Sequence, residues 1–523
     1  MKKLAALFLS LAMLISLTSA LAEYPIVDEP MTIRVFQWVV ENQQVDFENL
    51  WFYKELEKKT NIKVEWEAVK DGDWNTKLNL MLASGDWPDV IIRGGLSKAM
   101  IEDFGPNQGI LLPLDDYIEE YMPNYSSRLG MNNVSASLPS SDGHMYFIGN
   151  LTAQNINHDG TFFINKAWLD KLGLQVPTTV DELTEVLRAF RDGDPNGNGL
   201  KDEIPFSAAE IHHQTSGIYT HFAMFGVPLQ RWVYAVINDD NKVVFPGYMD
   251  GFRAAVEWLN LCYTDGLLDP EAMTQDSNGW NVKVNANQVG YTTYLRKIAT
   301  AWQPEIVEAF QHILPPASEY GVNVPRILEI PDFGAALTVA AKDKVPEILR
   351  WLDAQFETET MMTSVNGPLQ EGGPIDQTMK LNDNGKYEVI YIPENNGLYE
   401  YVPVIHGQFF APGDYYFDIY EMPPHRVERF NQSKLYEEAG VMEDISHDYL
   451  RKLVSMDMET AEEVNRLFTD IEKFMKESIA NFITGGVTDE NWKAFQDNAK
   501  NIGVDEYIQY YQTAYDAYLA ANQ

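Results

Sequence analysis

The chain's densest chemistry lies in one run, Asp192-Gly193-Asp194-Pro195-Asn196-Gly197-Asn198-Gly199-Leu200-Lys201-Asp202-Glu203. Hard cations such as Ca²⁺ take several oxygen ligands, and alternating Asp and Asn in a tight, Gly-bearing loop supplies them at short range. Two frames fit. A frame from Asp192 places Asp194 and Asn196 third and fifth, Gly197 sixth and Glu203 twelfth, the EF-hand spacing. A frame from Asp194 places Asn196 and Asn198 third and fifth, Gly199 sixth, the Leu200 carbonyl seventh and Asp202 ninth. The second frame is preferred. Its third and fifth places are side-chain oxygens, and Glu203 stands close enough to close the shell. The expected ligands are therefore Asp194, Asn196, Asn198, Leu200, Asp202 and Glu203, around a structural Ca²⁺. The same residues also suit a solvated Asx turn.

The elements that must position this loop precede it. Asn165 can cap a short helix that Gly173 ends. Thr179 and Glu182 form a capping box, and Leu183, Val186, Leu187 and Phe190 recur behind it at helical spacing. The loop thus follows a helix end. The phrase Asn165-Lys166-Ala167-Trp168-Leu169-Asp170-Lys171-Leu172-Gly173-Leu174 leads to Pro177-Thr178-Thr179 and Asp181-Glu182-Leu183. Asp194-Pro195-Asn196-Gly197-Asn198-Gly199 and Asp202-Glu203-Ile204-Pro205 follow. These phrases, in this order, resemble the extracellular solute-binding proteins of family 1. The likeness is to the branch of alginate-oligosaccharide-binding proteins and LipO-type lipoproteins of bacterial ABC importers, in which this loop binds calcium. The resemblance implies an α/β, two-lobe periplasmic-binding-protein fold of type II, with mainly parallel sheets flanked by helices and a hinge between lobes. It also implies a monomer that captures a carbohydrate, expected to be an oligosaccharide, and delivers it to ABC transporter permease subunits without breaking a bond.

The chain opens Met1-Lys2-Lys3, continues with an apolar run from Leu4 to Leu17, and reaches Ala20-Leu21-Ala22. This order describes a secretory signal peptide cleaved after Ala22. No lipobox cysteine stands there, so a free extracytoplasmic protein is expected, in the periplasm or at the cell surface. The 523 residues are long for one core. The net charge of −38 disfavours nucleic acid and anionic lipid as partners. Cys262 is the only cysteine, which excludes an intrachain disulfide, and its place beside Val256 and Leu259 reads as a buried, inert thiol.

Thr32 to Trp38, Ile62 to Glu67 and Asp89 to Ile92 read as strands separated by helices, an α/β pattern. Residues 23–150 and 326–385 are expected to form the first lobe. Residues 151–325, with the loop at 192–203, and 386–523 are expected to form the second, ending in C-terminal helices. Pro346 fits a first helical turn with Ile348, Trp351, Leu352 and Phe356 on one side, so Trp351 reads as core. Thr460 and Glu463 read as a further capping box.

In open α/β sheets ligands sit beyond the carboxyl ends of strands. Trp38 lies at such an end, with Arg93-Gly94-Gly95 at another. Trp232, Trp280 and Trp302 lie in segments without a clear apolar period, and Asn278, Gly279 and Asn281 flank Trp280. Tyr416 belongs to an aromatic run from Tyr399 to Tyr420. Rings with polar neighbours suit the C–H faces and hydroxyls of sugars. Trp38, Trp232, Trp280, Trp302 and Tyr416 are therefore the candidate ligand contacts. No His-Glu-x-x-His, Gly-x-Ser-x-Gly or Gly-x-x-x-x-Gly-Lys-Ser/Thr run occurs. His212, His213 and His221 have no carboxylate or cysteine at metal-ligand spacing. A binding protein is expected rather than an enzyme. A secreted carbohydrate-active enzyme, or a binder of peptide or another polar solute, are the alternatives.

Overall fold

The structure is a computed structural model. It describes residues 23–39, 45–92, 96–129, 139–149, 161–209, 217–229, 233–238, 240–294, 303–325, 334–370, 375–391, 397–403, 419–421, 424–442, 450 and 454–521. The chain forms two compact units. The first comprises Met1–Gln154 and Glu329–Glu421, the second Asn155–Leu328 and Met422–Gln523.

In chain order the strands used below are β1 (Met31–Val39), β2 (Ile62–Lys70), β3 (Val90–Ile92), β4 (Ile148–Gly149), β5 (Thr161–Asn165) and β6 (Ile204–Phe206). They continue with β7 (Val236–Ile237), β8 (Val243–Val244), β9 (Val289–Tyr294), β10 (Phe310–Ile313), β11 (Gly334–Leu337), β12 (Met379–Leu381) and β13 (Tyr387–Val389).

The first unit is built on a sheet of order β2-β1-β3-β11-β4. β1 runs parallel to β2, Met31 opposite Ile62, and parallel to β3, Val35 opposite Val90. Helices Trp51–Thr60 and Asp71–Ser84 make the two crossovers, as parallel neighbours require. β1 is an interior strand, and Val35, Phe36 and Gln37 are buried in succession; β2 is at the edge and largely alternates. Helix Val345–Asp353 turns Ile348, Leu349, Trp351 and Leu352 into the same core.

This unit keeps the chain longer than expected: the last crossing follows Glu421 and does not fall near 385. Val402 is buried in the first unit's core, and the Tyr401 carbonyl accepts the Phe52 amide at 3.0 Å. The β12–β13 hairpin is tied down by the Glu421 amide donating to the Tyr387 carbonyl at 2.7 Å.

The second unit carries a sheet of order β10-β5-β9-β6. Only β6–β9 is parallel in it; β5 pairs antiparallel with both β9 and β10. The expectation of mainly parallel sheets does not extend to this unit, because hydropathy marks a short buried strand but not its direction. Helix Val180–Asp192 has its capping box: the Thr179 hydroxyl accepts the Glu182 amide at 3.2 Å, and Glu182 Oε2 accepts the Thr179 amide at 3.3 Å. The long helix Met458–Gly485 starts differently from the sequence expectation. Its cap is Asp457, whose carboxylate accepts the Thr460 amide at 2.7 Å, so Thr460 lies inside the helix. Helices Asp250–Thr264, Asp489–Asn501 and Val504–Ala521 complete the core, with Cys262 and Tyr507 fully buried. Burial pushes the Cys262 thiol up, which makes it unreactive.

Candidate functional site

The Val180–Asp192 helix delivers the chain into the 194–203 loop. Asp192 is engaged at once: Arg191 Nε and a terminal nitrogen donate to its two oxygens at 2.8 and 2.9 Å. This pairing holds its carboxyl below the usual range. Asp194 instead folds into the loop, accepting the Gly197 amide at 2.9 Å and the Gly199 amide at 3.2 Å. Asp194 thus belongs to the loop's own hydrogen-bond ladder, and Asp192 is held outside it by Arg191. Asn196 Oδ1 accepts the Asn198 amide at 3.0 Å and Asn198 Oδ1 accepts the Leu200 amide at 2.7 Å. This ladder of Asx turns rotates side-chain oxygens around one concave loop. Gly197 and Gly199 have φ of +78° and +76°, conformations open to glycine.

Asp202 closes the loop. It accepts the side-chain amides of Asn196 at 3.0 Å and Asn198 at 3.0 and 3.1 Å, and that of Gln288, the residue before β9, at 2.9 Å. Those donors, Gln288 foremost, keep its carboxyl low. Glu203 is the opposite case. Burial, then Asp202 and Asp194, push its carboxyl up, and its Oε1 is buried without a hydrogen-bond partner. The donor set consists of oxygens only. Each Asn oxygen that accepts one backbone N–H retains a second lone pair. An orphaned buried carboxylate oxygen beside two further carboxylates fits a hard cation. Among the described residues no group of three or more His, Cys, Asp or Glu side chains is placed to hold a metal unaided. A cation here thus depends on the two Asn oxygens and the Leu200 carbonyl as well.

The aromatic candidates separate. Trp38, at the carboxyl end of β1, is half-buried and its indole N–H donates to Asp71 Oδ1 at 2.9 Å. Trp280 is fully buried, packed with Phe163, Val284, Val289, Ile306 and Phe310. As the protein stands it is a core side chain with no face open to a ligand. Trp232, Trp302, Tyr416 and Arg93-Gly94-Gly95 lie outside the described residues, as do His212 and His213. His221 is buried against Phe206, ring centroids 4.4 Å apart, and burial lowers its pKa to about 3, so it is a neutral core histidine.

Sequence reasoning missed a polar network beyond the carboxyl end of β6. Buried Asp269 accepts the Ser207 hydroxyl at 2.7 Å, the Gln275 amide at 2.9 Å and the Lys283 ammonium at 2.8 Å. Gln275 also donates to the Ala208 carbonyl at 2.7 Å. Burial alone would raise the Asp269 carboxyl; Lys283 and Ser207 more than offset it and hold it low. No local signal marks the network, since its members are brought together by the fold.

The chain thus forms two α/β units, crosses between them, and carries an oxygen-lined loop at a helix end in the second. The chain is similar, with a TM-score of 0.78 at 21% identity over 94% of its length and 98% of the other, to an extracellular solute-binding protein from Bifidobacterium longum subsp. infantis. Residues 43–260 match the family model of the bacterial extracellular solute-binding proteins. By sequence it is 27% identical over 479 residues, 89% of this chain and 86% of the other, to the fructooligosaccharide ABC transporter substrate-binding protein FusA of Streptococcus pneumoniae serotype 4. A FusA EF-hand mutant in complex with fructo-nystose has a similar structure, with a TM-score of 0.71 at 24% identity over 94% of this chain and all of that one.

Proposed function

We propose that this protein binds an oligosaccharide outside the cytoplasm and presents it to the permease of an ABC importer. The observation that carries the reading is the likeness to FusA along nearly the whole of both chains, at 27% identity over 479 residues. In the same reading residues 1–22 are a signal peptide and the mature protein acts as a monomer, releasing its ligand unchanged. Among the described residues no helix is long and apolar enough to cross a membrane. Trp38 is the described candidate for stacking on a sugar ring, and Trp232, Trp302 and Tyr416 stand beside it as candidates from the sequence. A panel of oligosaccharides screened by thermal shift tests this function. A rise in melting temperature with one glycan class, and none with its monosaccharides or with peptides, is the expected result. Stabilisation by peptides alone would overturn it.

The 194–203 loop is proposed to hold a structural Ca²⁺ through Asp194, Asn196, Asn198, the Leu200 carbonyl, Asp202 and Glu203. The orphaned Glu203 oxygen supports this, as does the EF-hand named for the FusA mutant. Bound ion stabilises the folded state by linkage, about 2.7 kcal/mol when its concentration is a hundredfold above Kd. Chelator is expected to lower the melting temperature and Ca²⁺ to restore it, with Asp202→Ala insensitive to both. An unchanged melting temperature in chelator and in added Ca²⁺ would reduce the loop to a turn.

A further inference from the structure

The proposed calcium loop has a cation of the protein's own beside it. Helix Lys166–Leu172 ends next to the loop, and its last turn carries Lys171. The Lys171 ammonium rests on the loop backbone at Gly197, 2.5 Å from the point a Cβ there would occupy, and its Cε lies 3.9 Å from that point. Gly197 is the fourth residue of the loop, between the Asn196 and Asn198 oxygens. Having no side chain, it leaves the space that the ammonium fills. Lys171 is exposed, and it stands within ion-pair distance of no carboxylate among the described residues. That separation matters in a protein with a net charge of −38. The charge is not spent on one neighbouring Asp or Glu and acts on the loop as a whole.

From this geometry we infer that Lys171 sets the cation affinity of the 194–203 loop, weakening it by electrostatic repulsion of the bound ion. The inference rests on the calcium reading above. The physical reason is direct. A unit charge held within several ångströms of a divalent ion raises its free energy even through solvent, and the effect is screened by salt because the group is exposed. Affinity in calcium loops is tuned by the number of ligand charges and by rigidity. This loop has three carboxylates, Asp194, Asp202 and Glu203, and Lys171 offsets part of their field. Lys171 does not coordinate the ion; it is a positioning charge. Its effect belongs to the loaded state, since among the described residues no ion pair depends on it in the structure.

The test is Ca²⁺ titration by calorimetry on the full-length mature protein, for wild type, Lys171→Gln, Lys171→Arg and Lys171→Glu. The melting temperature of each in chelator checks that the fold is unchanged. Lys171→Gln is expected to bind Ca²⁺ roughly threefold to tenfold more tightly, and Lys171→Glu more tightly still. Lys171→Arg should match wild type. The gain should shrink at about 1 M monovalent salt, where the screening length is about 3 Å. If wild type binds and Lys171→Gln binds equally or more weakly, the inference is wrong and the calcium loop stands. If wild type and all variants fail to bind, the calcium reading falls and takes the inference with it.

Discussion

Trp280→Ala is expected to destabilise the protein by about 3–5 kcal/mol, the usual cost of emptying a large aromatic core site. The side chain has no exposed surface and fills a small cluster with Phe163, Val284, Val289, Ile306 and Phe310. Two of these, Phe163 and Phe310, come from neighbouring strands β5 and β10, so the indole fastens helix Ser277–Asn285 to the sheet. Trp38→Ala is the informative contrast. Trp38 is half-buried and donates one hydrogen bond, to Asp71 at 2.9 Å. A lost hydrogen bond of that kind costs about 1 kcal/mol, and a half-buried ring gives up only part of the packing of a buried one, so this variant should fold and its carbohydrate affinity can be measured. Urea unfolding distinguishes the two. A Trp280→Ala protein as stable as wild type would show that the second unit does not depend on this cluster.

Asp269→Ala is expected to cost about 3 kcal/mol, at the low end of what breaking a buried charge pair costs. It strands the Lys283 ammonium, although Glu271 still pairs with it at 2.6 Å, and it removes the acceptor of the Ser207 hydroxyl and the Gln275 amide. The pH dependence has a definite sign. The folded Asp269 carboxyl lies below its unfolded value, about 3.9. Its contribution is therefore complete above about pH 4 and is lost as pH falls through the lower, folded value. Asp269→Asn should remove that part of the acid sensitivity, while keeping an oxygen to accept from Ser207. Stability measured by urea unfolding from pH 7 to pH 3 checks both statements. An acid limb of equal slope in wild type and Asp269→Asn would contradict them.

What the residues disclosed in advance was the local chemistry. The Thr179–Glu182 capping box, the amphipathic face behind it and the Asx ladder of the loop each act within a short window of the chain, so spacing alone exposed them. Trp351 followed from helical spacing in the same way. Trp280 was misjudged for an equally local reason. Asn278 and Gly279 lie on the exposed side of the helix, while Trp280 and Val284, one turn apart, share its buried face. Asp457 and Thr460 are both good caps by composition, and the helix begins at the first of them. Strand direction in the second unit, the crossing after Glu421 and the Asp269 network depend on partners tens to hundreds of residues away. No window of sequence contains them.

The central claim is capture of an oligosaccharide without turnover. It is tested most directly by equilibrium dialysis of the protein against the oligosaccharide that gives the largest thermal shift, followed by mass spectrometry of the recovered ligand. The account predicts saturable binding of one molecule per chain and recovery of the ligand at its original mass after prolonged incubation. Shorter or rearranged products accumulating with time would show an enzyme and contradict it.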